Sequence, residues 1–145
     1  MDLESRLNLE ADEQPAAAFL TERGGALGSD PEIEGVYWLT VHPRRSPQET
    51  YYVRVAWITY PHQAPSVKFA DRIGGSLTVA SAWPLIAGYR PSSFDICKPF
   101  TAEGFALHPE WRAGPTAWPT TGNPFLWVIE TLQEDLDTSY VGRAA

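Results

Sequence analysis

The sequence predicts an α+β domain: an N-terminal helix, an antiparallel β-meander of three to four strands, a long irregular segment, and a C-terminal helix. Three observations predict it. Apolar residues recur at helical spacing near both ends. They alternate with a period of two between Val36 and Phe69, and they lose any period between Ala70 and Trp118. At 145 residues, with 43% hydrophobic and 12% aromatic side chains, residues 1–145 are expected to form one domain with a real core.

The elements follow in order. Residues 2–23 read as helix in one or two pieces: Asp2 caps, Leu3 and Leu7 share a face, Pro15 suits the first position of a second piece, and Gly24-Gly25 stops it. GSDPEIEG reads as a turn. In VYWLTVH, Val36, Trp38 and Thr40 face one way and Tyr37, Leu39 and Val41 the other, which is a strand. TYYVRVAWITY is a second strand, with Val53, Val55 and Trp57 on one face, and SVKF is a short third. Between them, PRRSPQE is a polar turn and YPHQAP a stiff one, since each proline fixes φ and removes a donor. LTVASAWPLIA predicts a further strand or short helix within an otherwise coil-like stretch, and an irregular segment of this length is usually functional. In NPFLWVIETLQEDLD, Asn123 caps, Pro124 opens the helix, and Phe125, Ile129, Leu132 and Leu136 fall on one stripe. The tail SYVGRAA is expected to fray.

Composition excludes several classes. A net charge of −7 argues against a nucleic-acid partner, because phosphate binding is built from clustered Lys and Arg. One cysteine makes no internal disulfide, and three scattered histidines without HxH or HxxxH spacing predict no metal. No glycine-rich phosphate loop, paired-carboxylate or GxSxG pattern occurs, so no cofactor is expected. The N-terminus lacks a basic start and an apolar core, and no apolar run approaches about 18 residues. The expectation is a cytoplasmic protein with no membrane partner.

Chemistry concentrates in SSFDICKPFTAEGFALHPEW, residues 92–111. A lone cysteine is more often an inert core residue than a nucleophile. Cys97, however, lies outside any alternating strand and between Asp95 and Lys98, which resist unpaired burial. A neighbouring lysine also favours the reactive thiolate. His108 reads either as a loop histidine or as a base or oxyanion donor for Cys97. His42 and His62 adjoin prolines at strand ends and read as structural. Trp38, Trp57 and Trp127 fit core faces of strands or helix, while Trp83, Trp111 and Trp118 read as loop anchors.

The stretch from Trp38 to Phe69 resembles the ubiquitin-conjugating enzymes. A tryptophan-bearing strand, a charged turn, an aromatic strand and then YPHQAPSVKF are similar to that family's Tyr-Pro-x-x-x-Pro and Val-x-Phe pattern. Cys97 and the helix from Pro124 follow where the family keeps its nucleophile and the next helix. The resemblance implies the UBC-like fold across nearly the whole chain. It also implies a transthiolation activity in which Cys97 accepts a ubiquitin-like modifier from an activating enzyme and passes it to an amine on a protein substrate. The family's His-Pro-Asn triplet is absent, and GYRPSSFDIC stands in its place, as in the divergent bacterial branch. His108 is the first candidate for the missing asparagine's role, followed by Asp95, Tyr89 and Thr101.

Two other readings stand beside this one. A UBC fold that has lost catalysis would hold a partner protein as a binding module. A cysteine hydrolase would pair Cys97 with His108.

Overall fold

A computed structural model describes residues 1–145. α1 (Leu3–Thr21) is a single helix. The Asp2 carboxylate caps it by accepting from the Ser5 amide at 2.9 Å. Pro15 lies inside the helix and does not begin a second one. Its missing N–H leaves the carbonyl of Ala11 without a helical partner, and Ala11 and Pro15 are both exposed. Leu9, Ala16 and Leu20 form the buried stripe, whereas Leu3 and Leu7 lie on the solvent side.

Four strands make one antiparallel sheet in sequence order: β1 (Ala26–Ser29), β2 (Val36–Val41), β3 (Tyr51–Ala56) and β4 (Ser66–Ala70). β1 was not legible in the sequence, because ALGS carries no apolar alternation and its pairing with β2 alone holds it extended. From β2, β3 and β4, Tyr37, Leu39, Val41, Val53, Val55, Val67 and Phe69 point into one core. Trp38 is buried on the opposite face, where its Nε1 donates to Asp30 at 2.9 Å, and it stands outside that core.

Beyond β4 the segment expected to be irregular is built from short elements: β5 (Pro84–Leu85), β6 (Tyr89–Arg90), β7 (Asp95–Ile96) and α2 (Ala102–Leu107). Single 3₁₀ turns at Ala80–Ala82, Pro109–Arg112 and Gly114–Thr116 join the rest. Trp83 is fully buried against Phe69, with ring centroids 5.3 Å apart. α3 (Pro124–Thr138) begins at Asn123, whose side chain accepts from the Leu126 amide at 2.9 Å. It buries Phe125, Val128, Ile129, Leu132 and Leu136. Each such burial is worth roughly 1.5–3 kcal/mol. The tail does not fray. β8 (Gly142–Arg143) pairs with β5, and Arg143 bonds the carbonyls of Ser81 and Thr50 and the Glu49 carboxylate, each at 3.0 Å.

The YPHQAP turn ties these parts together. The Tyr60–Pro61 bond is cis. Tyr60 is fully buried; its amide donates to Ser5 of α1 at 3.1 Å, and its hydroxyl donates to Asp12 of α1. The same hydroxyl accepts the first free amide of α3, from Phe125. No helix is long and apolar enough to cross a membrane.

Candidate functional site

The backbone at Cys97 is fixed from both sides. β6 and β7 form a tight hairpin with Tyr89 opposite Ile96 and Arg90 opposite Asp95. Its turn places Phe94 at φ 58°, a left-handed conformation uncommon for a bulky residue. Arg90 grips Asp95 through Nε and Nη2 at 2.6 and 2.7 Å, and the Ser93 hydroxyl adds a third bond at 3.2 Å. The ladder extends one step further, with the Cys97 amide donating to the Gly88 carbonyl at 2.8 Å. On the other side, Thr101 caps α2 and donates its hydroxyl to the Ile96 carbonyl at 2.6 Å. The Ala102 amide donates to Pro65 at the end of the YPHQAP turn, at 2.8 Å. Gly104 packs directly on the Lys98 carbonyl, where any Cβ would collide with it.

Cys97 is half-buried and opens into a groove of about 510 Å³. Lys98, Phe100, Trp111, Trp127, Thr131 and Asp135 supply most of the remaining wall. Trp127, Thr131 and Asp135 stand four residues apart on α3, so they form one stripe beside the core stripe. Trp127 is 37% exposed, contrary to its expected place in the core, because it faces this groove. Asp135 is held on both oxygens: Lys98 Nζ lies 3.3 Å from Oδ1, and the Tyr89 hydroxyl donates to Oδ2 at 2.8 Å. Burial, and then the Asp135 charge, push the Tyr89 phenol well above its ordinary value, so it remains a neutral donor.

The candidates from the sequence fall in three different settings. Cys97 lines the groove. Asp95 does not: its carboxyl is held below the usual carboxylate range, first by the Arg90 hydrogen bonds and against partial burial, and it is engaged as an ion pair behind the hairpin. His108 ends α2, with Nδ1 2.9 Å from Glu110 and its ring stacked on Trp111 at 4.1 Å and 18°. Trp111 lines the groove but His108 does not, and no hydrogen bond joins His108 to Cys97. Thr101 is buried and spent on its cap, and Tyr89 reaches the groove only through Asp135.

Asp135, Trp111 and Trp127 were missed as site residues. The two steps of four from Trp127 through Thr131 to Asp135 are the one signal that pointed there. No cluster of His, Cys, Asp or Glu is arranged to hold a metal ion. The arrangement can present a thiol in a largely apolar, two-tryptophan groove with one carboxylate at its edge. No protein-family model matches the chain, and no curated protein matches it in sequence.

Proposed function

We propose that the chain is a cysteine acyl carrier of the ubiquitin-conjugating type, accepting a ubiquitin-like modifier as a thioester on Cys97 and passing it to an amine. The observation that carries this reading is the placement of the only cysteine. Cys97 is anchored rigidly after the meander and its Tyr-Pro turn, and before the last helix, yet it opens into a groove with room for an extended tail. The Cys97 thiolate attacks the carbonyl of the activating enzyme's thioester, and the intermediate collapses to release the partner's thiolate. Trp111 and Trp127 flank the modifier's tail. Activation by ATP belongs to the partner enzyme.

Incubation with an activating enzyme, its modifier and ATP tests this. The expected product is an adduct that dithiothreitol removes. It is lost in Cys97→Ala and becomes a reductant-stable oxyester in Cys97→Ser. A reducible adduct persisting in Cys97→Ser overturns the assignment.

One observation favours a second reading, a UBC-type binding module. No side-chain amide reaches the groove: Asn123 is spent on its cap and on the Asp12 carbonyl at 3.1 Å, and Asn8 belongs to α1. Modifier binding without any adduct would establish that reading.

A further inference from the structure

We propose that Lys98 is an acyl acceptor in cis, taking the acyl group from a thioester on Cys97, and that the Lys98–Asp135 ion pair restrains this transfer. The inference rests on the reading of Cys97 as a thioester carrier and concerns how that site is regulated.

Among 11 basic side chains only two are lysines, Lys68 and Lys98, and one of these directly follows the only cysteine. Arginine serves almost everywhere else. At this position arginine would pair with Asp135 at least as well through its planar fork. What a lysine adds is an amine that can form a stable amide. The side chain also lies where that chemistry is possible. Lys98 lines the same groove as Cys97. Its stem runs across Gly88, where a Cβ would stand 3.1 Å from both Cγ and Cε. The absence of a side chain at Gly88 therefore gives the lysine its path along the floor.

The carboxylate that holds the amine is itself fixed. Asp135 is largely buried, and its second oxygen is taken by Tyr89, itself buried within the core. Lys98 Nζ is thus held on a fixed carboxylate that lines the same groove. Transfer requires the amine to leave Asp135 and lose a proton to water. Its lone pair then attacks the thioester carbonyl, the C–N bond forms, the nitrogen gives up a second proton to water, the C–S bond breaks, and Cys97 leaves as thiolate. The product is an amide on Lys98 that fills the groove and blocks a second charging. A charged chain that meets no outside amine therefore caps itself, and the ion pair sets how long it waits.

The experiment needs no activating enzyme. The purified full chain is incubated with a short peptide ending in Gly-Gly as its mercaptoethanesulfonate thioester, and adducts are mapped by mass spectrometry with and without dithiothreitol. The expected result is a labile adduct on Cys97 that converts to a resistant amide on Lys98. Cys97→Ala abolishes that amide, which excludes direct aminolysis, and Lys98→Arg removes it. Asp135→Asn, its fold checked by near-UV circular dichroism, raises the ratio of resistant to labile adduct by about fivefold, the scale of a weak, partly exposed ion pair. If Asp135→Asn does not fold, the comparison of the native chain with Lys98→Arg decides alone. A thioester on Cys97 that decays only by hydrolysis, or amide falling equally on Lys68, overturns the inference and leaves the carrier reading intact. An unchanged ratio in folded Asp135→Asn overturns the restraint. No labile adduct on Cys97 at all overturns the carrier reading itself.

Discussion

The Tyr60 hydroxyl accepts the Phe125 amide at 3.1 Å while donating to the Asp12 carboxylate, so one phenol joins both long helices to the turn between β3 and β4. Burial and the Asp12 bond push the Tyr60 phenol far above its ordinary value, which keeps it a donor at any practical pH. Tyr60→Phe leaves the ring packing intact and strands a buried amide. The expected loss is about 1–3 kcal/mol in urea unfolding. A change below about 0.5 kcal/mol would mean that water replaces the hydroxyl without cost.

Gly104→Ala tests how closely α2 seats the Cys97 loop. The new methyl meets the Lys98 backbone, which is held by Thr101 and cannot yield cheaply. The expected cost is about 1–3 kcal/mol, the range of overpacking in a filled site. Because the displaced atoms adjoin Cys97, native-state alkylation by iodoacetamide should speed up as well. Lost stability with unchanged alkylation would show that the strain is absorbed elsewhere.

The Arg90–Asp95 pair gives a pH dependence of known sign. Folding lowers the affinity of Asp95 for protons, so its contribution is complete above the ordinary carboxylate range and fades as pH falls through the lowered folded value. Arg90 is partly exposed, which limits the pair to about 1 kcal/mol. Asp95→Asn should therefore be less stable than the native chain by that amount at neutral pH, and the difference should shrink as pH falls below the ordinary aspartate value of about 4. A difference that does not shrink with falling pH would assign the effect to packing.

His108→Ala removes a ring that stacks on Trp111 from outside the groove. The expected stability loss is at most about 1 kcal/mol, as for a surface aromatic contact. The rate of Cys97 alkylation should stay within about twofold. A tenfold fall in that rate, a rise of about 1.4 kcal/mol in activation free energy, would return His108 to the site as a base.

Most of the frame was legible because single periods govern it. Val53, Val55 and Phe69 alternate into the core, and Phe125, Ile129, Leu132 and Leu136 repeat at helical spacing, so strand and helix follow from local pattern. β1, the β5–β8 pair and α2 were not legible, because four strand residues, two-residue ladders and a six-residue helix depend on partners distant in sequence. The site divided in the same way. Cys97 stood out as the only one of its kind, whereas Asp135 and Trp127 belong to a helix whose strongest signal is its apolar stripe. His108, eleven residues from Cys97, does not line the groove: α2 lies between the two in the chain, and the His108 ring stacks on Trp111, which does line it.

The groove at Cys97 has an optical consequence. Two indoles, Trp111 and Trp127, share its wall with the thiol, and one of them is more than a third exposed. Their emission depends on local polarity and on quenching groups nearby, so occupancy of the groove is written into the intrinsic fluorescence of the unlabelled chain. Loading of Cys97 can then be followed in real time by stopped flow, with Trp127→Phe identifying which indole reports.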